Sequence, residues 1–308
     1  MKNVVVIGGG HGLSTILKGI KEIKDINISA IVTVADDGGS TGRIRQRYAI
    51  PAMGDIRTVM LALSESDPLM HDLMNYRFAG VDDTDISGHS LGNLILTALT
   101  SMSGSFVDAI ETASKFLNVK GKIIPSTLQS VTLFARMEDG TIVKGETNIP
   151  SYKQYIDSVF YEKEVKANKD AIKAIAEADI IIYGIGSLYT SILPNTIIDE
   201  ISEALNVSKA KKIYFANCMT QYSETYNFDL KDHIDALIKH NTPVDIVIAH
   251  NNKIPPEIVD RYLKRDCIEV VNNNDCDVEV KTCDLLKFDN GLVRHDPKKI
   301  KNVIEDLL

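Results

Sequence analysis

The sequence has no tryptophan, and aromatic residues make up only 6% of it. Its four cysteines, Cys218, Cys267, Cys276 and Cys283, form no C-x-x-C pair, which fits reduced thiols better than a disulfide framework or a zinc site. No apolar run approaches the roughly 18 residues that a membrane helix needs. The start, MKNVVVIGGG, reads as a short strand-like run ending in glycines, so no signal peptide is expected there. Basic surplus is missing too. Against 42 Asp and Glu stand 34 Lys and Arg, a formal charge of −8, which argues against a general nucleic-acid binder. There is no Pro/Ser-rich linker, low-complexity tract or solenoid repeat. No Ser-His-Asp order, G-x-S-x-G elbow or H-E-x-x-H helix is found, so no catalytic residue is assigned. A soluble cytoplasmic protein with one continuous domain over residues 1–308 is expected.

What is present is a repeated unit: a short β-branched run, a glycine loop, then an amphipathic helix. Residues 4–7 precede Gly8-Gly9-Gly10-His11-Gly12, after which Leu13, Ile16, Leu17 and Ile20 recur at helical spacing. Residues 28–34 form a continuous apolar run, as a strand covered on both faces should. The unit returns at residues 179–183 with Gly184-Ile185-Gly186-Ser187, and residues 213–216 and 244–249 add two more strands. The alternation predicts an α/β three-layer sandwich around a mostly parallel sheet. Residues 54–117 read as helical. Residues 128–137 and 141–145 flank the turn Glu138-Asp139-Gly140 and predict a β-hairpin, within an elaboration of about 121–160.

Three loops carry chemistry. Gly9, Gly10, His11 and Gly12 open a helix, where free N–H groups and the helix dipole favour a phosphate. The run nearly matches a dinucleotide fingerprint but has Leu13 at the third glycine position. A turn that merely packs strand on helix would look the same. Asp36-Asp37-Gly38-Gly39-Ser40-Thr41-Gly42-Arg43 follows the second strand. Two acids beside amides and hydroxyls suit Mg²⁺-phosphate or sugar hydroxyls, with Asp36 and Asp37 as metal ligands, though an Asx turn is the plainer alternative. Four of the nine arginines, Arg43, Arg45, Arg47 and Arg57, follow within fifteen residues and could meet phosphate oxygens or simply line a solvated helix. Asp55 has the position of a helix N-cap, and Asn93 lies in the ligand-rim candidate Ser87-Gly88-His89-Ser90-Leu91-Gly92-Asn93. The third loop supplies Gly186, Ser187, Thr190 and Ser191, leading to Asn195; Asn217 ends the next strand. In a parallel sheet all three loops share the carboxyl edge, where such sheets bind ligands. Tyr262 with Arg294 would give a second rim.

These motifs, in this order and over nearly the whole chain, resemble the YvcK-type or gluconeogenesis-factor family, relatives of the CofD-like transferases. The resemblance implies a Rossmann-like fold in a cytoplasmic bacterial protein. It also implies binding of a UDP-sugar such as UDP-N-acetylglucosamine, with Mg²⁺ as an optional cation. The implied role is support of cell shape and envelope synthesis, and of growth on gluconeogenic carbon sources, with envelope-synthesis proteins as partners. Exposed helical faces would allow a homo-oligomer. Two rivals remain: a Mg-dependent phosphotransferase of the 2-phospholactate-transferase type, and an NAD(P)-binding oxidoreductase. The first departs from the CofD pattern at Gly10-His11-Gly12, the second at Leu13 and the Asp-Asp-Gly-Gly run.

Overall fold

The structure is a computed structural model describing residues 1–80, 86–152 and 154–308. The spans 54–117 and 121–160 thus include short pieces outside the described residues. Among the described residues, twelve strands follow in chain order. They are β1 (Lys2–Gly8), β2 (Ile26–Val32), β3 (Lys122–Pro125), β4 (Leu133–Met137), β5 (Ile142–Lys144) and β6 (Ile156–Tyr161). Then come β7 (Ile180–Tyr183), β8 (Lys211–Phe215), β9 (Ile246–His250), β10 (Glu279–Cys283), β11 (Leu286–Asp289) and β12 (Leu292–His295). Seven of them form one sheet in the order β10-β9-β8-β7-β1-β2-β3, with every pairing parallel.

Apolar continuity explains this sheet. Val4, Val5, Val6 and Ile7 of β1 and all four residues of β7 are buried, because helices cover both faces. The chain runs outward from β1 through β2 to β3, then returns to β7 beside β1 and proceeds the other way. Right-handed crossovers place the helices of the two runs on opposite faces. On one face α1 (Gly10–Ile20) packs between α3 (Gly54–Leu63) and α12 (Pro297–Glu305). In the other run α7 (Lys169–Ala176) packs on α9 (Asp199–Val207). The order therefore reverses between β1 and β7, and the crevice at their carboxyl ends is the place where doubly wound sheets take ligands.

The hairpin is present, and β6 extends it to a three-stranded antiparallel sheet, β5-β4-β6. Gly140 supplies the positive φ of its turn at +84°. Lys122–Pro125, which fell inside the expected elaboration, belongs to the central sheet as its edge strand; its pairing with β2 is too distant in sequence for periodicity to show. Between residues 54 and 117 lie α3, α4 (Pro68–Asn75), α5 (Leu91–Ser103) and α6 (Phe106–Phe116). Among the described residues, no helix is long and apolar enough to cross a membrane.

Helix starts differ in a way that matters for the site. Helices α4, α5, α6 and α7 carry side-chain caps from Asp67, Ser90, Ser105 and Asn168. By contrast α1 and α2 (Gly39–Tyr48) open on Gly9 and Gly38 with no side-chain cap. No side chain at the cap position takes their first amides, and on α1 Asp55 takes that of Gly10 alone.

Candidate functional site

The β1 loop lies in the switch-point crevice. Gly10 has φ +55°, which an L side chain rarely adopts. A Cβ on Gly12 would stand 2.1 Å from the Ile185 carbonyl oxygen, so the β1 and β7 loops touch backbone to backbone. Asn195, fully buried on α8 (Leu193–Thr196), fastens them. Its Nδ2 donates to the carbonyls of Gly8 (3.2 Å), Ser191 (2.9 Å) and Ile192 (3.2 Å). Asn195 is thus a tie beneath the crevice.

Asp55 is not an N-cap. Helix α3 starts at Gly54 after Met53, leaving Asp55 in the first turn, where its carboxyl packs on the glycine loop. A Cβ on Gly9 would lie 2.4 Å from Asp55 Oδ2. Burial and then the neighbouring Asp36 push the Asp55 carboxyl up to about 7, against the Gly10 amide and Arg57, which favour the anion. Asp36 accepts from the Gly38 amide at 2.9 Å, and its other oxygen faces Gly54. Asp37 points elsewhere. It accepts from the Thr147 amide (3.0 Å), the Thr147 hydroxyl (2.8 Å) and the Glu146 amide (3.2 Å), anchoring the segment after β5. Through that segment Glu146 joins the acids, and burial followed by Asp36 and Asp55 raises its carboxyl to about 8. Among the described residues, no three His, Cys, Asp or Glu side chains are grouped to hold a metal alone.

The β7 loop looks alike in sequence but is filled from within. After Ser187 the chain forms a π-helical turn, Leu188–Ile192. The Glu224 carboxyl sits at its start, accepting from the Thr190 hydroxyl at 3.0 Å and held also by Ser187 and the Tyr189 and Thr190 amides. Burial outweighs these bonds and lifts it to about 7. The Ser187 hydroxyl accepts from Gln221 Nε2 (2.8 Å), and the Gly186 carbonyl from Asn217 Nδ2 (3.2 Å). Ser191 continues the turn, its amide donating to the Ser187 carbonyl at 2.9 Å.

A cavity of about 230 Å³ opens beside these loops. His11, Gly12, Asn217, Gln221, Tyr262 and Arg294 line it, so residues from four separate segments converge. The Tyr262 hydroxyl accepts from the Val293 amide at 3.2 Å, which positions α11 (Pro256–Leu263) against β12. Larger hollows lie elsewhere, one of about 740 Å³ between α6, α7 and β3, and one of about 690 Å³ near the amino ends of β1 and β2. Neither is lined by the glycine loops.

The arginines do not act as a cluster. Arg45 is buried and donates to the carbonyls of Ala35 (3.3 Å), Asp36 (2.7 Å) and Val131. Arg57 binds Asn93 Oδ1 (3.1 Å), the Met74 carbonyl and Asn75. Arg43 and Arg47 are exposed, and Arg43 lies at the rim, donating to the Ser87 carbonyl. Residues two apart on a helix point about 200° apart, so sequence neighbours scatter. Asn93 in turn donates to Ser40 Oγ (3.1 Å), which lies 2.9 Å from His89 Nδ1. Burial and the nearby Arg43 and Arg77 keep His89 below its usual pKa, so this chain orders the α2 start. Gly39, at φ +43° with open space around it, is the exposed corner of that start. Glu146, Gln221 and Glu224 were not singled out from sequence. They reach the crevice by long-range packing, and the one available hint was that Gln221 and Glu224 follow the carboxyl end of a predicted strand.

Fold and site together define a doubly wound α/β protein with a glycine-loop site at its switch point. The family model described as 2-phospho-L-lactate transferase CofD matches residues 4–289. A gluconeogenesis factor of Listeria innocua serovar 6a is 46% identical over 99% of this chain and 95% of its own. That of Bacillus subtilis strain 168 is 43% identical over 99% and 98%. A crystal structure of a Bacillus halodurans protein described as a UPF0052 family member superposes with TM-score 0.94 at 41% identity, covering 99% of both chains. The chain belongs to the gluconeogenesis-factor family, with a CofD-like domain.

Proposed function

We propose that the protein binds a UDP-sugar of the UDP-N-acetylglucosamine kind and acts as a cytoplasmic regulator. It would support envelope synthesis and cell shape during growth on gluconeogenic carbon sources, through envelope-synthesis proteins as partners. One observation carries the binding site: the uncapped start of α1 at Gly9–Gly12 adjoins the cavity of His11, Asn217, Tyr262 and Arg294. The diphosphate would rest on the α1 amides. The choice of UDP-sugar follows the motif resemblance.

A diphosphate beside Asp36, Asp55 and Glu146 needs counter-charge, and Arg45 and Arg57 are already spent on carbonyls and amides. Asp36 and Asp55 are the residues that would hold Mg²⁺, a better pair than Asp36 with Asp37. Mg²⁺ commonly takes one or two carboxylates and completes its shell with water and phosphate, so a protein triad is not required. Bound there, it would neutralise the phosphates.

Calorimetry and thermal melting with UDP-N-acetylglucosamine, with and without Mg²⁺, test this reading. At a hundredfold excess over Kd, stabilisation of about 2.7 kcal/mol is expected. Arg294→Ala should weaken binding about tenfold or more, a loss of about 1.4 kcal/mol. If millimolar ligand produces no heat and no melting shift, the reading fails. Growth of a deletion strain on gluconeogenic carbon, with and without the Arg294→Ala variant, tests the cellular role.

The family-model match favours a second reading, a Mg-dependent transferase. An acceptor hydroxyl would attack the donor phosphorus, Glu146 would take its proton, and the nucleotide would leave. Incubation with nucleoside-diphosphate donors and alcohols should then release nucleotide, and Asp36→Asn should stop it. No release across a broad panel leaves a binder.

A further inference from the structure

The 230 Å³ cavity is smaller than the roughly 300–1,000 Å³ of sites that enclose a drug-sized ligand. A nucleotide sugar seated there by one end must lay its other end on a surface outside. One lining residue, Gln221, leads directly to such a surface. The turn that begins with it is held by bonds from the Glu224 and Thr225 amides to the Gln221 carbonyl (3.0 and 2.9 Å). Gln221 and Glu224 tie this turn to Ser187 and Thr190 of the β7 loop. The turn presents Tyr222 and Tyr226, whose rings lie edge to face at 5.9 Å. Tyr155, from the segment before β6, extends the row at 6.1 Å from Tyr226.

We propose that Tyr155, Tyr222 and Tyr226 form the subsite for the sugar ring, given that the protein binds a nucleotide sugar as above. The rings remain 38%, 39% and 36% exposed, although burying an aromatic ring is favourable. They come from two separate parts of the chain and line up where the small antiparallel sheet meets the β8–α10 connection. A pyranose has an apolar C–H face and an equatorial belt of hydroxyls. The tyrosine rings offer flat apolar contact for the first. Glu146, whose carboxyl is influenced electrostatically by Glu224 of the same turn, offers an acceptor for the second. A base is better matched by the other end, where Tyr262, Asn217 and Arg294 supply one aromatic face with an amide and a guanidinium.

The test compares UDP with UDP-N-acetylglucosamine by calorimetry, in Mg²⁺, for the unmodified protein and for Tyr222→Ala, Tyr226→Ala and Tyr155→Ala. The sugar nucleotide should bind the unmodified protein more tightly than UDP. The alanine variants should lose about tenfold for the sugar nucleotide and stay within twofold for UDP, while Tyr226→Phe, which keeps the ring, retains affinity. Saturation-transfer NMR on the unmodified protein, with irradiation of the aromatic protons, should reach the sugar protons even where an alanine variant fails to fold. Equal loss for UDP and UDP-sugar, or no loss, with no transfer to the sugar, overturns the subsite but leaves nucleotide-sugar binding standing. In that case the tyrosine row is a contact for a protein partner or a clasp between two parts of the chain. No binding of either ligand to the unmodified protein overturns both.

Discussion

The β1 and β7 loops share one sequence pattern, and they are used in opposite ways. Each follows a buried parallel strand, each has a glycine-rich turn, and each has a carboxyl group pushed to about 7 beside it. At β7, Glu224 lies across the start of the π turn and takes two amides and two hydroxyls, so the protein supplies its own anion there. At β1, Asp55 takes the Gly10 amide only, and its second-largest influence is another acid, Asp36. The first arrangement is closed, with Glu224 buried against its own donors. The second groups acids without the donors to match them, which is where a cation with a phosphate would lower the free energy. A glycine loop before a helix becomes a ligand site only when its amides are not already spent.

The largest effect expected is from Gly12→Ala, which drives a methyl into the Ile185 backbone and separates the two loops. A loss of roughly 3 kcal/mol or more should appear in chemical denaturation. Gly186→Ala meets only the Ser191 side chain at 2.8 Å and should cost less. If the two variants melt alike, the loops are not in the backbone contact described.

Next come the two acids. Because Asp55, Glu146 and Glu224 all have folded pKa values above their unfolded ones, the folded chain holds more protons. Stability is therefore fully present below about pH 4 and is lost as the pH rises through 7 to 8. Asp55→Asn should flatten that decline and stabilise the ligand-free protein at pH 8, each pKa unit relieved being worth about 1.36 kcal/mol. Glu224→Gln should gain far less, because its amide meets donors with a donor. Equal gains in pH-dependent melting would erase the contrast between the loops.

Asn195→Ala should cost about 2 kcal/mol by leaving the Gly8, Ser191 and Ile192 carbonyls short of a donor, seen as a lower melting point. The smallest change is Asp37→Asn, about 1 kcal/mol, with faster amide exchange at Glu146 and Thr147. Mg²⁺-dependent stabilisation should survive Asp37→Asn and vanish in Asp36→Asn, which separates the anchor from the cation ligand.

Much of the frame was legible because short-range pattern dictates it. Runs such as Val4 to Ile7 and Ile180 to Tyr183 can only be strands covered on both sides, and glycines after them mark the carboxyl edge. The convergence of His11 and Asn217 at that edge follows from parallel pairing. What pattern cannot give is which way a side chain turns after its loop. Asp36 and Asp37 are adjacent, yet one faces Gly54 at the start of α3 and the other the far hairpin. Arg45 reads like Arg43 in sequence and is buried among carbonyls. Glu146 enters only because Asp37 holds its backbone 109 residues away. The carboxy-terminal strands β10 to β12 are short and half exposed, so their periodicity is weak.

The acids around Gly10 have one further consequence. At neutral pH, Asp55 near 7 and Glu146 near 8 leave the crevice partly protonated. A cation seated between Asp36 and Asp55 would expel protons to the medium as it entered. The heat measured on binding would then depend on the buffer, larger in one that takes up protons exothermically, and the slope against buffer ionisation enthalpy would count the protons released.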